Sequence, residues 1–350
     1  MGTSRDSTET QTVASRRQQR LREELLDAGI ELPNNLTLAT QLIEELDYAR
    51  FPPVHEGALP SYGAVLTGVH VEPEEFGGTP STIAGLDATV LRRLADGRQS
   101  FVLRGPKGRE LLLIDSPHDR EAALVRLRSR GPQRSTIIVQ RGPTGVVRVL
   151  APNSLFIWDG AHWWAKPTAS SFTEAVRRAV PTAPIDTLRQ LLDFCVHTMS
   201  PADAGCALVW ALNADTISDV DGLNPARPPT LVPRLPFSNI ATGAAIRQLL
   251  SQVDGASIVN RAGQLIATGA HLRSSNKSHE HVKIDLSHGT RHATARRFSY
   301  DHTQTVVFVV SRDGPVTVYS RGEELTSIHT RIEDPEPDEE RLGLDDRFDE

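Results

Sequence analysis

Long hydrophobic runs are missing from this chain of 350 residues. Its most apolar stretches, such as Thr305–Val310, have the length of a strand and fall well short of the ~18 residues that cross a bilayer. No basic-then-apolar leader opens the sequence, so export is not expected. Cysteine is nearly absent: Cys195 and Cys206 alone cannot build a disulfide framework or a zinc site. A reducing, bacterial-type cytosol and hence a cytoplasmic protein is the expectation. An excess of positive charge is missing too. The net charge is −6, and Arg331–Glu350 carries ten acids and three arginines, a net of −7; setting that segment aside leaves a body of +1. A nearly neutral body argues against a general nucleic-acid surface, although a local basic pocket for a phosphorylated small molecule remains compatible with it. What is present, 39% apolar and 23% charged residues, suffices for a folded core, and the length suggests two domains.

Met1–Thr12 is polar without an apolar period and reads as disordered. Ser15–Leu26 and Leu36–Tyr48 read as helices separated by Pro33–Asn35. Tyr62–Lys166 is mostly strand-like. Ser100–Arg104 with Glu110–Ile114, and Thr136–Gln140 with Gly145–Leu150, read as hairpins, and Asp119–Arg130 as a helix. Trp158, Trp163 and Trp164 read as packing rather than as a base-stacking site.

Beyond Thr182–Pro184, Ile185, Leu188, Leu191, Leu192, Cys195, Val196 and Met199 fall on one helical face. A strand at Gly205–Leu212 follows, and then a proline-rich loop, Asp215–Pro236. Next come a helix capped by Ser238 or Asn239, strands at Ala256–Asn260 and Gln264–Gly269, and a polar loop at Arg273–Ser287. A short helix at Gly289–Arg297, a strand at Thr305–Ser311, a turn at Asp313-Gly314 and a final strand at Val316–Ser320 complete the pattern. Thr136–Leu150 and Thr305–Tyr319 share a rhythm that ordinary hairpin composition explains. The fold class expected is α/β (α+β): a mixed sheet flanked by helices in the C-terminal part, preceded by a smaller α/β N-terminal part.

Three short segments carry chemistry. Asp254-Gly255-Ala256 stands where a helix hands over to a strand; the glycine permits an unusual backbone angle, and the aspartate can hold a divalent cation. Gly289-Thr290-Arg291-His292 opens a helix. Unpaired amides and the helix dipole favour phosphate there, Arg291 offers a planar fork for its oxygens, and His292 adds a donor. Ser311-Arg312-Asp313 ends the last long strand, where Asp313 could join Asp254 in a two-carboxylate metal site. Taken singly, each also reads as an ordinary turn or a capped helix.

In order and together, Val253–Leu272, Gly289–Ala295 and Val307–Tyr319 resemble the diadenylate cyclase domain, the nucleotide-binding domain of the DNA-integrity-scanning protein and its relatives. The marks are Asp-Gly-Ala followed by Gly-Thr-Arg-His. The resemblance implies a nucleotidyltransferase that condenses two ATP into cyclic di-AMP and two pyrophosphates. Each of two facing domains would hold one ATP, so the enzyme would be a homo-oligomer, at least a face-to-face dimer, using Mg2+ or Mn2+. It further implies Asp254, Arg291 and His292 as catalytic residues and Asp254 with Asp313 as metal ligands. Gly255, Ala256, Leu272, Gly289, Thr290, Arg291, His292 and Ser311 would bind ATP, with Leu272 on the adenine. The family usually has two glutamates after the serine, where this chain has Arg312 and Asp313, and an arginine after the histidine, where it has Ala293.

The division implied is a disordered tail over 1–14, an N-terminal sensor domain over 15–180, a cyclase-like domain over 181–328 and an acidic tail over 329–350. No DNA-binding module and no membrane helix is visible, so neither DNA nor membrane is expected as a partner. The alternative reading is a catalytically weak or inactive protein that binds an adenine nucleotide or cyclic dinucleotide, to which Arg312 points. A third is an interaction scaffold.

Overall fold

Runs of β-branched residues between glycine turns make the strands, and apolar residues at helical spacing make the helices that cover them. The computed structural model describes residues 4–53, 59–80, 86–118, 120–132, 135–152, 154–202, 204–284, 289–312 and 315–328. The Asp313-Gly314 turn, the acidic segment after 328, Asp119 and His288 lie outside them.

Two helices, α1 (Ser4–Asp27) and α2 (Leu36–Arg50), lead into a first set of strands. These are β1 (Tyr62–Thr67), β2 (Gly78–Pro80), β3 (Ser100–Gly105), β4 (Gly108–Ile114), β5 (Thr136–Arg141), β6 (Val147–Leu150), β7 (Ser154–Trp158) and β8 (Trp163–Pro167). Helix α3 (Ala88–Leu94) precedes β3, and α4 (Glu121–Arg130) precedes β5. Helices α5 (Ala169–Ala179) and α6 (Ile185–Phe194), with one π-helical turn at Cys195–Met199, lead into the second set. That set comprises β9 (Cys206–Ala211), β10 (Thr230–Pro236), β11 (Ala256–Val259), β12 (Gln264–Ala270), β13 (Thr305–Val310), β14 (Val316–Ser320) and β15 (Glu323–Ile328). Helix α7 (Ile240–Leu250) precedes β11; α8 (Asn276–His281) and α9 (Thr290–Asp301) precede β13.

The first sheet runs β2-β4-β3-β1-β5-β6-β7-β8 and the second β10-β12-β11-β9-β13-β14-β15. Setting β8 aside, every strand of the first sheet has a counterpart in the same place in the second. The directions agree as well: β1–β3 and β9–β11 are parallel, and the remaining pairs are antiparallel. Helices α2, α3 and α4 correspond in chain order to α6, α7 and α9. The shared rhythm of Thr136–Leu150 and Thr305–Tyr319 is therefore positional, not compositional, because β5–β6 and β13–β14 are the same hairpin of a repeated topology.

Both sheets are covered on both faces. Leu208, Trp210 and Phe308 pack with Leu188, Leu191 and Leu192 of α6, while Val209, Val307 and Val309 pack with Phe298 of α9. This alternation places β9 and β13 at the centre, buried throughout.

Several elements differ from the sequence reading. Helix α1 continues N-terminally to Ser4, through most of the stretch read as disordered. Leu21 and Leu25 are buried, and once such a nucleus exists each added residue extends the helix at little cost. Thr230–Pro236, read as loop, is edge strand β10. Pro233 and Pro236 are tolerated because an edge strand needs only half of its backbone bonds, and the register shifts between Leu231 and Leu235. The polar loop contains α8, capped by the Ser275 side chain; Ser275 and Ser278 both donate to Asp301 of α9. Val316–Ser320 is not the final strand, because β15 pairs beside it. The tryptophans pack as expected: Arg50 lies 4.0 Å above the Trp158 ring, and Trp158 and Trp163 are 5.5 Å apart.

Candidate functional site

Strand register gathers the chemistry-bearing segments at one end of the second sheet. Ala256 pairs with Ala207 on β9 and with Ala270 on β12. Ala207 in turn pairs with Val309 on β13, and Cys206 with Val310. The residues just beyond those pairs therefore share one edge: Asp254 and Gly255 before β11, Gly205 before β9, Ser311 after β13, and His271 and Leu272 after β12.

Gly255 has φ +95°, and a methyl group there would come 3.0 Å from the Ala270 carbonyl oxygen and 3.0 Å from the Gly269 carbonyl carbon. Only glycine fits this turn. It brings the chain from α7 onto β11 with Ala256 buried and Asp254 exposed. Asp254 has no hydrogen-bond or ion-pair partner among the described residues.

The start of α9 reaches the same end of the sheet. Gly289 is its N-cap, with extended backbone and no side-chain capping bond, and nothing lies within 4 Å of where a methyl group would be. Thr290 is thus the first helical residue. Among the described residues no N-cap side chain bonds to the positive end of this helix of twelve residues, an arrangement suited to an anion. Arg291 is exposed, and its guanidinium lies over Gly205: a methyl group at 205 would overlap Nη1.

His292 ties helix to sheet. Its Nε2 lies 2.9 Å from Ser311 Oγ and its Nδ1 3.0 Å from Tyr319 Oη, so one ring nitrogen donates and the other accepts. Tyr319 is buried, and burial, with Glu324 adding to it, pushes its hydroxyl well above the ordinary tyrosine value. Burial likewise drives the Cys206 thiol up to about 12, with the Arg291 charge pulling the other way.

Leu272 is half-buried, bridged to Leu223, and packs with it and with Ile217 at the site's border. Backbone bonds from Asn224 to His271 (2.9 Å) and from Arg273 to Gly222 (2.8 Å) hold that border together. Arg312 is exposed, and Asp313 falls outside the described residues.

Among the described residues no group of three or more His, Cys, Asp or Glu could hold a metal by itself. His271 and His279 are exposed, and His281 stacks on Tyr300 and bonds to the Lys277 carbonyl. Among the described residues the free carboxylate at this sheet end is that of Asp254, a hard-oxygen donor. It fits a Mg2+-like ion that takes its remaining ligands from phosphate and water, and it does not fit a metal needing an all-protein cage.

Sequence reasoning missed Gly205, Gly269 and Tyr319. Gly205 and Tyr319 are defined by contacts between distant strands and a helix. Gly269 had a local signal, a glycine inside a strand, which marks a bulge or a close backbone approach.

Two family models match the chain. "Probable sensor domain DACNK" matches residues 19–167, and "DisA bacterial checkpoint controller nucleotide-binding" (DAC) matches residues 195–324. No curated protein matches. Among solved structures, a hypothetical membrane spanning protein from Bacillus cereus is similar at 16% identity over 45% of this chain and 77% of its own, with a TM-score of 0.29. A double mutant of DacA from Staphylococcus aureus is similar at 19% identity over 44% of this chain and 85% of its own, with a TM-score of 0.25. Among the described residues no helix is long and apolar enough to cross a membrane. With Asp-Gly-Ala and Gly-Thr-Arg-His intact at one end of a single sheet, residues 195–324 match the DAC nucleotide-binding domain, set behind a stretch, residues 19–167, that matches the DACNK sensor domain.

Proposed function

We propose that this protein is a cytosolic diadenylate cyclase that joins two ATP into cyclic di-AMP, releases two pyrophosphates, and is regulated by its N-terminal domain. The observation that carries the reading is the convergence of Asp254, the uncapped start of α9 and the Arg291 guanidinium at one sheet end.

In this reading the α9 amides at Thr290 and the Arg291 fork hold the triphosphate. Ser311 donates to a phosphate oxygen, and Leu272 covers the adenine. Gly255 and Ala256 let the backbone approach the nucleotide. His292, engaged by Ser311 and Tyr319, keeps the Ser311 hydroxyl aimed; to bind phosphate itself it has to give up one of those two bonds. The 3′-oxygen of one nucleotide forms a bond to the α-phosphorus of the other, the bond to pyrophosphate breaks, and the hydroxyl proton leaves to solvent. Asp254, with Asp313 completing the pair, would hold Mg2+ or Mn2+, which when bound lowers the hydroxyl pKa and offsets phosphate charge. Positioning and charge neutralisation are the main requirements of phosphoryl transfer, and these side chains supply both. Closing the ring needs two such sites facing each other, hence a homodimer at least.

Incubation of the purified full chain with ATP and Mn2+, followed by chromatography, should yield cyclic di-AMP, and Asp254→Asn should abolish it. No product from either protein would overturn turnover. The second reading, nucleotide binding without turnover, is favoured by Arg312, which adds an exposed positive charge where the family carries a glutamate. Tight ATP binding by calorimetry without product would select it.

A further inference from the structure

Between the two sheets lies a cavity of about 640 Å³, within the usual range for small-molecule sites. Its walls are Ser116–His118, Arg120 and α4 on one side, and α6, the π-turn and the start of α7 on the other. Most of the lining is apolar, with Phe194 and Phe237 packed edge to face at 4.7 Å.

Two opposite charges face this space without meeting. Asp193 lies in the fields of His197, Arg126, Arg189 and Arg128, and among the described residues it forms an ion pair with none of them. Arg126 donates to the Phe237 carbonyl (3.3 Å), whereas Asp193 has no hydrogen-bond partner among the described residues. Arg120, exposed and unpaired among the described residues, lines the same wall. Asp193 is exposed to solvent, and the protein beside it pushes its carboxyl above the ordinary value. The site is therefore a wet recess rather than a sealed void.

We propose that this recess binds a small zwitterion with an apolar body, an amino acid of the leucine or phenylalanine kind. Its ammonium would face Asp193, its carboxylate Arg126 and Arg120, and its side chain the Phe194–Phe237 pair. A separated acid and base across an apolar recess match that charge pattern. A plain anion would engage the arginines alone and a plain amine Asp193 alone, so each would make fewer charge-assisted contacts than the zwitterion.

The recess is also placed to reach the candidate site, and this second part rests on the cyclase reading. His197 of its wall sits in the π-turn, and π-turns recur at functional sites. The chain runs from that turn to Gly205, over which Arg291 lies.

Calorimetry on the full chain tests the binding part without requiring turnover. L-phenylalanine or L-leucine should bind. Phenethylamine and hydrocinnamate, each lacking one charge, should bind at least about tenfold more weakly. Asp193→Asn should weaken binding by about tenfold or more, and Ala244→Trp, which fills the recess from α7, should abolish it. No heat from either amino acid at millimolar concentration, equal binding of the one-charge analogues, or unchanged binding by Asp193→Asn would overturn the site. Saturating amino acid should then change the rate of cyclic di-AMP formation by at least about twofold, in line with a modest allosteric coupling. Binding with an unchanged rate would remove the proposed route to Arg291. Absence of any cyclic di-AMP would sink the cyclase reading, while the heat of amino-acid binding would still decide whether the recess is a site.

Discussion

Glu121 and Thr290 hold the same place in the two sheets: each is the first residue of the helix that leads into the fifth strand, β5 or β13. The two helix starts have opposite fates. At α4 the positive helix end carries the chain's own anion, because the Glu121 carboxylate accepts from Lys166 Nζ (2.8 Å) and pairs with His197 Nδ1 (2.6 Å). At α9 the N-cap is Gly289, which brings no side chain to the start, and the first turn holds no acid. The corresponding sheet ends differ as well. In the first sheet Gly97 packs directly on Tyr62 and Gly63, and the Gln140 amide donates to the Gly97 and His118 carbonyls (2.6 and 3.0 Å). One copy of the repeated topology is sealed by its own side chains, and the other begins its helix without a carboxylate of its own in the first turn.

The seal also joins the two sheets, since His197 belongs to the π-turn and Lys166 donates to the Val196 carbonyl at 2.7 Å. All three side chains are buried. Lys166→Met leaves a buried carboxylate short of its main partner and should cost about 3–5 kcal/mol in urea unfolding. Adding Glu121→Gln should recover part of that loss, so the double-mutant cycle should show strong coupling. Additive losses would mean that the pair does not act as a unit.

The same carboxylate sets a pH dependence. Burial alone would raise the Glu121 pKa, but the Lys166 charge and the His197 hydrogen bond outweigh it and hold it below the ordinary 4.5. A depressed folded value means that the stabilisation is complete above the unfolded pKa and is lost as pH falls through the folded one. Unfolding free energy should therefore drop below pH 4.5, and Glu121→Gln should flatten that drop. Parallel curves for the two proteins would place the acid sensitivity elsewhere.

Much of this architecture was legible in the sequence where local chemistry decides it. The β3–β4, β5–β6 and β11–β12 hairpins announce themselves by glycine turns between apolar runs of strand length, and α7 by the Asn239 cap. Asp254-Gly255 and the α9 start were readable for the same reason, as a turn and a helix opening. Edge strand β10 was not, because its two prolines mimic a loop until a neighbouring strand supplies the pairing. Helix α8 was hidden because Asp301, 26 residues beyond Ser275, holds its cap. The repeated topology left only one faint trace, since strand pairing is long-range and imposes alternation rather than particular residues.

The two cysteines should be inert in the folded protein. Burial pushes both thiols up, Cys206 to about 12 and Cys195 well above its usual value with Cys206 adding to the effect. The thiolate is the nucleophile, so iodoacetamide near neutral pH should leave both unlabelled until denaturant is added. Rapid labelling of native protein, read by mass spectrometry, would show that the α6–β9 junction opens.

Gly205 separates fold from site most sharply. A methyl group there overlaps the end of a flexible arginine, and it also comes 3.2 Å from the Val310 carbonyl oxygen and 3.3 Å from the Arg312 nitrogen. The backbone need give only a few tenths of an ångström, so Gly205→Ala should cost about 1–2 kcal/mol of stability. Arg291, by contrast, has to swing away from the sheet end. If its guanidinium holds the triphosphate, losing a charge-assisted contact should weaken ATP binding by about tenfold or more. Calorimetry with ATP, set beside a thermal melt, reads both effects on one sample. Unchanged ATP affinity in a protein whose melting point has fallen would show that Arg291 serves only to pack α9 against β9.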